Sequence, residues 1–475
     1  MSYDYIIVGG GPTGLALTWY LSKLNKKILI IEREDSLGGC HRVRRVNGLF
    51  TEHGPRIYLD NYLNFETILN EMGKSFDDIF TRYYFSLITI GGSSIKNFRI
   101  RELTTLGFSY LYFMINPNDS KNITMLEYTN QNNFTSEAKD YIDRLCRLTD
   151  GAGIERYTLY EFFEILNQNS LYDIYQPKLP NDIGLFKYWE DALLKTGKVD
   201  IMLNTSVIKI NENNDKITNL IVSQNGQNEK ITANNYILTI PPKPLLNLLD
   251  QSNMTNIFTN ENKMIKWEEN SRYLVYIPIV FHWDKKIDLP KIWGFPATDW
   301  GIAFIVLSDY MNFQNSSSKT VITTAITITN RVSKYTKKTA NQSTIEELKE
   351  ETFRQLRESF PNIDEPTATI LSPGLYRNTK NNKWETNDTA FMFTKSGYLD
   401  KMQYKNLYNI GPHSGNSFYS FTAMESAVTN ALYLALKIEP ELNQYYTIRE
   451  TFTLNKLIFL IIYVIIVIIL LYYFI

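Results

Sequence analysis

The residues whose types and spacing suit them to chemistry begin with three glycines near the N-terminus. Gly9, Gly11 and Gly14 have G-x-G-x-x-G spacing and follow the apolar run 6–8. Glycine has no Cβ atom, so the backbone of such a turn admits a pyrophosphate, and the N-terminus of a following helix faces the negative charge. The pattern predicts a dinucleotide-binding site.

The elements that must position this turn form a β-α-β unit. Residues 5–8 are predicted to be a buried parallel strand, residues 12–24 a helix with proline near its start, and residues 27–31 a second strand. Glu32 ends the second strand, 18 residues beyond Gly14, where its carboxylate can accept hydrogen bonds from ribose hydroxyls. The acid and the flanking strands make the glycine motif specific.

The segments after Glu32 distinguish flavin from nicotinamide binding. Arg33-Glu34-Asp35-Ser36-Leu37-Gly38-Gly39 is followed by His53-Gly54-Pro55-Arg56. In these motifs the sequence resembles FAD-binding oxidoreductases typified by flavin amine oxidases, protoporphyrinogen oxidase and phytoene desaturase. The resemblance implies that Gly38 and Gly39 lie along the pyrophosphate and ribityl chain, and that residues 54–56 lie beside the isoalloxazine.

The sequence departs from the family at Cys40, where many members have arginine. Arg42, Arg44 or Arg45 is an alternative source of a phosphate contact, and a cluster of surface arginines is the other interpretation. Cys40 itself is either a redox or flavin-attachment residue or a small residue packed at a turn.

Two later segments extend the resemblance. A strand at 236–240 stops at Pro241-Pro242, and the family closes its second nucleotide-fold segment in this way. The same resemblance implies that Val207 lies near the adenine. The segment 406–413, followed by 417–428, resembles the third. There a helix start facing the cofactor stabilises negative charge on a reduced flavin.

The motifs and the resemblance together predict two sets of site residues. The cofactor-binding set is Gly9, Gly11, Pro12, Thr13, Gly14, Glu32, Arg33, Gly38, Gly39, Cys40, Gly54, Pro55, Arg56, Val207, Gly411, Ala423 and Met424. The catalytic set is Arg56 and Tyr419. The predicted cofactor is FAD. The four histidines lack metal-ligand spacing, so no metal site is predicted.

The predicted fold class is α/β, a discontinuous Rossmann-like FAD-binding domain with a second α+β substrate domain and a C-terminal transmembrane helix. The chain has 475 residues, which is too long for one hydrophobic core, so more than one globular unit is expected. The FAD-binding domain is predicted at 1–62, 186–250 and 386–438, and the substrate domain at 63–185 and 251–385. A linker at 439–456 leads to an anchor at 457–475.

The substrate domain has its own predicted elements. The face of a helix at 136–148 marks Cys146 as core, residues 157–166 continue a helical insert, and Gly151 helps to close the region before it. Strands are predicted at 273–281, 302–307 and 320–329, and a helix at 344–360 with a Ser343–Glu346 capping box. The position at which many amine oxidases carry lysine falls near Ile277, in Leu274-Val275-Tyr276-Ile277-Pro278, which contains none.

The C-terminal residues 457–475 are apolar and uncharged. Nineteen helical residues span about 28 Å, close to the thickness of a bilayer core. Lys456 and Arg449 precede this segment, which predicts a single-pass anchor with the catalytic body in the cytoplasm.

Charge and cysteine content limit the partners. The formal net charge is -1, so no global field recruits nucleic acid, and two cysteines suit a reducing compartment. The predicted partners are a small or lipophilic organic substrate and a membrane.

These observations predict a membrane-tethered, amine-oxidase-like FAD oxidoreductase that transfers hydride from an organic substrate to flavin. Two alternatives stay open. His53-Gly54-Pro55-Arg56-Ile57 also resembles UDP-galactopyranose mutases, which use flavin without net redox and require arginines for a diphosphate. The other alternative is a non-catalytic flavin-binding membrane protein.

Overall fold

The computed structural model describes residues 3–83, 86–87, 95–150, 153–254, 271–273, 276–293, 298–313, 316–386, 392–394, 404–419 and 422–474. Gly151, Leu274, Val275, Ser420, Phe421 and Ile475 of the predicted segments lie outside these ranges, as do parts of the predicted domains, including residues 255–270, 387–391 and 395–403.

Strands occur in both halves of the chain. In the first part they are β1 Tyr3–Val8, β2 Ile28–Ile31, β3 Val43–Val46, β4 Leu49–Glu52, β5 Tyr58–Leu59, β6 Phe80–Arg82, β7 Ser86–Leu87, β8 Ile174–Pro177, β9 Val199–Met202, β10 Thr205–Asn213, β11 Lys216–Gln224, β12 Gln227–Ile231 and β13 Ala233–Leu238. The later strands are β14 Ser271–Tyr273, β15 Ile277–Trp283, β16 Ile292–Trp293, β17 Ile302–Val306, β18 Thr320–Ile326, β19 Ala368–Leu371, β20 Leu375–Asn378, β21 Lys383–Thr386, β22 Met392–Thr394 and β23 Leu407–Asn409.

The α-helices of the described residues are α1 Pro12–Ser22, α2 Leu63–Glu71, α3 Phe76–Ile79, α4 Ile100–Ile115, α5 Met125–Gln131, α6 Ser136–Asp150, α7 Leu159–Asn169, α8 Leu185–Lys195, α9 Pro242–Gln251, α10 Ile345–Leu356, α11 Met424–Ile438 and α12 Leu454–Phe474.

A parallel sheet of five strands, in the order β23-β13-β1-β2-β9, forms the centre of the predicted FAD-binding domain. Ile7 in β1 pairs with Ile237 in β13 and with Ile30 in β2. The sheet therefore assembles three separate parts of the sequence around β1. This arrangement confirms the predicted discontinuous Rossmann-like sheet, whose apolar strands are covered on both faces.

Helix α1 follows the glycine turn and is buried along its whole length. It packs against α11, so the helix of the first motif and the helix of the third lie side by side. Burial on all sides explains why α1 lacks the apolar stripe of a surface helix. It ends at Ser22 rather than at the predicted residue 24, and Asn25 with a φ of 60° follows in the turn before β2.

The second half contains an antiparallel sheet in the order β17-β18-β15-β19. The strands β15, β17 and β18 are fully buried, and side chains of α10, including Leu348 and Leu356, complete their core. The predicted strand 273–281 was wrong as a continuous element, because β14 ends at Tyr273 and β15 begins at Ile277.

The predicted Ser343–Glu346 capping box was also wrong, by one residue. Thr344 is the N-cap of α10, and its hydroxyl accepts a hydrogen bond from the Glu347 backbone N–H. Glu347 accepts from the Thr344 backbone N–H in return. The Ser343 hydroxyl donates instead to the Thr339 carbonyl, which explains why it is not available to the helix.

Helices α4, α5, α6 and α7 form a separate layer with its own aromatic core. Cys146 is 1% exposed within this core, which confirms its prediction as a packed residue. Both cysteines are free thiols.

The last helix, α12, is apolar and projects from the rest of the protein. Its segment Leu454–Tyr472 has a mean hydropathy of 2.9 and is not covered by the rest of the chain. By length and composition the helix is able to cross a membrane.

Candidate functional site

The three glycines of the first motif perform three different geometric tasks. Gly9 has a φ of 113°, and a Cβ there would lie 2.8 Å from the Thr239 hydroxyl. A Cβ on Gly14 would collide with the Gly9 carbonyl oxygen, so this glycine permits close packing of α1 on β1. Gly11 differs, because its Cβ would meet only Gly39, at 3.6 Å. The backbone at Gly11 is therefore open to a ligand.

The N-terminus of α1 completes this turn. Gly11 is the N-cap residue, Pro12 follows at the first helical position, and the first turn contains no acidic residue. Unpaired backbone N–H groups and the helix dipole leave this end positive. The turn therefore suits a phosphate group.

Glu32 stands at the end of β2 as predicted and is 6% exposed. Its carboxylate accepts hydrogen bonds from the Gly10 N–H at 2.7 Å and the Glu34 N–H at 3.0 Å. Arg42 pairs with the same carboxylate at 3.1 Å. These contacts fix the carboxylate beside the glycine turn, with lone pairs remaining for ribose hydroxyls.

The arginine alternatives resolve into ion pairs. Arg42 pairs with Glu32, Arg44 with Glu34, and Arg45 with Asp182. Arg42 is buried, contrary to the interpretation of a surface cluster, and it holds the Glu32 carboxylate. Arg42 also lines the cavity described below, and its charge is already paired with the Glu32 carboxylate, which argues against the phosphate role.

The glycine pair after Glu32 forms a second close approach. Gly38 has a φ of 115°, and a Cβ there would lie 2.8 Å from the Phe186 ring. A Cβ on Gly39 would lie 3.0 Å from the Gly11 Cα. The two glycine segments, more than twenty residues apart, therefore meet backbone to backbone and form one wall of a cavity.

One cavity of about 610 Å³ runs from this turn to the antiparallel sheet. Of the predicted site residues, those lining it are Gly9, Gly11, Pro12, Thr13, Glu32, Arg33, Gly39, Cys40, Pro55, Arg56, Val207, Tyr419, Ala423 and Met424. Four predicted site residues do not line the cavity: Gly14, Gly38, Gly54 and Gly411. The cavity thus joins the residues of all the predicted segments, although the ligand they bind stays a prediction.

Arg56 lies in the middle of the cavity wall, among buried polar groups. Its guanidinium donates a hydrogen bond to the Cys40 carbonyl oxygen. Burial, together with this cation, lowers the pKa of His53 to about 3. Burial also raises the pKa of Glu52 to about 7, against the opposing effect of Arg56. Arg56 is therefore a fixed positive charge among weakly ionised neighbours.

Tyr419 lies on the opposite side, before α11. Its hydroxyl donates to Asn169 Oδ1 at 2.6 Å, and its ring packs edge-on against Tyr62 at a centroid distance of 5.5 Å. Burial raises the pKa of the Tyr419 hydroxyl well above its usual value, so the group stays protonated near neutral pH.

The start of α11 faces the cavity through Ala423 and Met424. The Ala423 N–H donates to Ser426 Oγ at 2.9 Å. Glu425 turns its carboxylate to the start of α2, where it accepts from the backbone N–H groups of Asn64 and Phe65, both at 3.0 Å. This carboxylate is thus occupied in joining two helices.

The far end of the cavity contains residues that the sequence analysis missed. Ala303 and Ala325 come from the antiparallel sheet, Tyr276 and Thr327 adjoin its strands β15 and β18, and Arg147 comes from α6. Arg147 pairs with Asp143 at 3.0 Å and donates to the Thr327 carbonyl at 3.2 Å. The i,i+4 spacing of Asp143 and Arg147 was a signal for this helix face, but it does not reveal the partner strand.

Ile277 is fully buried in β15 and does not line the cavity, whereas the neighbouring Tyr276 does. Among the residues that the structure describes, the cavity wall contains no lysine. Lysine is thus missing both from the segment 274–278 and from the described residues that line the cavity.

The parallel sheet, its glycine turn and the antiparallel sheet above the cavity define a mixed α/β protein with a Rossmann-like fold. Residues 7–72 match the family of NAD(P)-binding Rossmann-like domains. Solved oxidases share the wider architecture. A triple mutant of putrescine oxidase superposes with a TM-score of 0.65 at 14% identity, covering 93% of this chain and 99% of that chain.

Cyclohexylamine oxidase from Brevibacterium oxydans has a TM-score of 0.63 at 11% identity, covering 93% of this chain and all of that chain. An oxidoreductase from Methanosarcina mazei superposes with a TM-score of 0.60 at 14% identity, covering 90% of this chain and 99% of that chain. The chain therefore has the amine-oxidase-type fold, which confirms the predicted resemblance at the level of architecture.

A shorter match concerns the sequence alone. The chain is 34% identical over 79 residues to a UDP-galactopyranose mutase from Mycoplasma genitalium. This segment is 16% of the present chain and only 19% of the mutase.

Proposed function

We propose that the chain is an FAD-dependent oxidoreductase of the amine-oxidase type, acting on a small or lipophilic organic molecule. The observation that carries this proposal is the continuous cavity that connects the glycine turn to the antiparallel sheet. A dinucleotide in an extended pose needs such a channel, and the sheet end leaves room for a second molecule.

The residues present fit FAD. Gly11 leaves open backbone where a pyrophosphate would lie, Gly39 packs closely against it, and the α1 N-terminus faces that place. The fixed Glu32 carboxylate suits a ribose, and Val207 lines the cavity where an adenine would lie. The α11 N-terminus at Ala423 suits the pyrimidine edge of a flavin.

Bound flavin supplies a hydride acceptor, and the chain supplies position, electrostatics and exclusion of water. Arg56 holds a permanent positive charge on the cavity wall, where it would stabilise negative charge in the cofactor or the substrate. Tyr419, fixed by Asn169, presents a protonated hydroxyl and an aromatic ring. Ala303, Ile305 and Ala325 form an apolar wall that limits water.

We also propose that α12 tethers the enzyme to a membrane as a single-pass anchor. Its uncovered apolar surface and its length support this role. Lys456 and Arg449 on its N-terminal side favour a body in the cytoplasm, because positive flanks remain on that side.

The test uses the full chain, purified in detergent. A flavin absorption band in the folded protein is expected, and its bleaching under anaerobic conditions by a panel of primary and secondary amines would support the oxidase. A folded, colourless protein that takes up no added FAD would refute the cofactor. Bound flavin that no amine bleaches would argue against the amine class.

The mutase is a second candidate, because of the 79-residue match. Sugar interconversion by only the reduced holoprotein, with UDP-galactopyranose as the probe, would favour it. Arg56 and Arg147 line the described cavity towards the sheet, but Arg147 already pairs with Asp143. Bound flavin with neither activity would favour a non-catalytic binding protein.

A further inference from the structure

Helix α4 carries an exposed apolar face on the body of the protein. Ile100 is 82% exposed, Phe108 73% and Ile115 72%, and Leu111 and Tyr112 are about half exposed. These residues recur at helical spacing, so they share one side of the helix. Such a contiguous apolar surface is unusual on a soluble monomer and marks an interaction site.

The opposite side of α4 belongs to the body. Phe113 and Glu102 are each 1% exposed, and Phe113 packs against Phe163 of α7 at a centroid distance of 5.4 Å. The helix is therefore fixed by its inner side and presents its apolar face outwards. No charged residue occurs from 103 to 118, so most of this face is uncharged as well as apolar.

The position of α4 beside the start of α12 identifies what covers this face. The Tyr110 hydroxyl of α4 donates to Asn455 Oδ1, in the first turn of α12, at 2.9 Å. The Asn455 backbone N–H donates in turn to Asn167 Oδ1 of α7, also at 2.9 Å. If α12 crosses a bilayer, its first turn lies at the bilayer surface, and α4 lies at the same level.

We propose that α4 is a second membrane contact, which lies flat in the bilayer interface with Phe108, Leu111 and Ile115 inserted among the acyl chains. At about 1.5 Å per residue its 16 residues extend about 24 Å, too short to cross a bilayer upright. One-sided burial in the body likewise excludes a spanning position. The occupant of the face is thus lipid, and this inference rests on the proposed anchoring by α12.

Exposed apolar side chains also occur beside α7 and just before α12. Tyr172 donates to the Phe452 carbonyl at 2.8 Å, and Gln168 donates to the Phe418 carbonyl at 2.7 Å. The side chains of Phe452 and Phe418 are 45% and 57% exposed. Apolar side chains thus occur on several elements that approach the start of α12. Two separate membrane contacts would hold the body in one orientation, which a single helix does not.

The test places a nitroxide spin label on single introduced cysteines of the full chain in phosphatidylcholine vesicles. Phe108→Cys reports on the α4 face, and Val464→Cys reports on α12. Asn228→Cys, on an exposed strand of a sheet in a different core, is the matched aqueous control. The labelled parent chain measures the background from Cys40 and Cys146.

We expect the ratio of oxygen accessibility to water-soluble nickel-chelate accessibility at Phe108→Cys to exceed that at Asn228→Cys by at least about threefold. Leu111→Cys repeats the measurement one helical turn away. Lipid values at Val464→Cys with aqueous values at both α4 positions would overturn the α4 contact and leave the anchor intact. Aqueous values at Val464→Cys would refute the anchor. Spin–spin broadening between α4 labels would show that a second copy of the chain covers the face, which also overturns the proposal.

Discussion

At the scale of single residues, the cavity depends on where a Cβ atom is absent and where a hydroxyl is fixed. Gly11 and Gly14 belong to one motif, yet one faces open space and the other packs against the Gly9 carbonyl. Tyr419 is positioned by Asn169, a residue 250 positions earlier in the sequence. Two glycines of the same motif therefore have different structural roles.

The first prediction separates ligand binding from folding. Gly11→Ala should fold normally, because its Cβ meets only Gly39 at 3.6 Å, an ordinary contact. It should weaken FAD binding at least about tenfold by occupying the approach to the pyrophosphate. Flavin absorbance after gel filtration measures retention, and the melting temperature measures folding. Gly14→Ala is the control and should destabilise the fold itself. Undiminished FAD affinity in Gly11→Ala would place the pyrophosphate elsewhere.

The second prediction concerns Tyr419→Phe. The ring stays, so flavin content should not change, while loss of the hydroxyl contact with Asn169 should reduce kcat/KM about fivefold, equivalent to about 1 kcal/mol. Steady-state kinetics with an amine that bleaches the flavin measures this effect. Tyr172→Phe removes a comparable hydroxyl contact outside the cavity and should leave kcat/KM unchanged. Equal kinetics in both variants would remove Tyr419 from the catalytic set.

At the scale of elements, the two halves of the molecule are joined by buried polar contacts. His282 of β15 donates from Nε2 to the Phe50 carbonyl of β4 at 2.9 Å, and its Nδ1 accepts from the Ser318 hydroxyl at 2.9 Å. This neutral imidazole connects the antiparallel sheet to the segment between the two glycine motifs. Burial lowers the pKa of His282 to about 4.

The third prediction follows from that pKa. The unfolded chain binds a proton at His282 near pH 6.5, but the folded chain does so only near pH 4. The stability that the neutral His282 contributes is therefore present above pH 6.5 and is lost as the pH falls from 6.5 towards 4. His282→Gln should lower the melting temperature at pH 7.5 by removing a hydrogen bond. The difference from the wild type should then narrow towards pH 5, because glutamine does not titrate. A melting-temperature difference that stays constant from pH 7.5 to 5 would contradict the proposed titration.

At the scale of the whole molecule, the segment before α12 is fastened to the body at several points. The Arg449 N–H donates to Asn64 Oδ1 at 2.9 Å, and the Thr451 hydroxyl donates to the Asn61 carbonyl at 3.1 Å. Asn64 also donates to the Glu425 carboxylate at 2.6 Å, so two side chains connect the segment to the start of α11, whose Met424 lines the cavity. The proposed anchor and the proposed site are thus parts of one connected framework.

The fourth prediction concerns removal of the anchor. Deleting residues 457–475 should change the protein from one that resists extraction by alkaline carbonate to one that a carbonate wash releases, because the α4 face alone gives only interfacial binding. Membrane fractionation of the deletion beside the full chain measures the change. Carbonate resistance of the deleted form would refute α12 as the spanning element.

The sequence by itself determined the Rossmann-like half, because that half depends on local patterns. Glycine spacing, buried strands and the acid at Glu32 each constrain a few consecutive residues, and the structure reproduces β1, α1 and β2 within about two residues of the predicted bounds. The core position of Cys146 followed from the same kind of local periodicity. The apolar α12 was equally visible, because a long uncharged run such as 457–474 is recognised without knowledge of its partners.

Only the tertiary structure decided which distant residues share the cavity. Arg42 could not be assigned to Glu32, nor Arg147 to the Thr327 carbonyl just after β18, because both contacts arise where separate segments pack together. The exchange of Ser343 for Thr344 as the cap of α10 has the same origin, since Ser343 bonds backward to Thr339. Local patterns constrain which element forms. Side-chain pairing across elements depends on three-dimensional packing, which no stretch of sequence contains by itself.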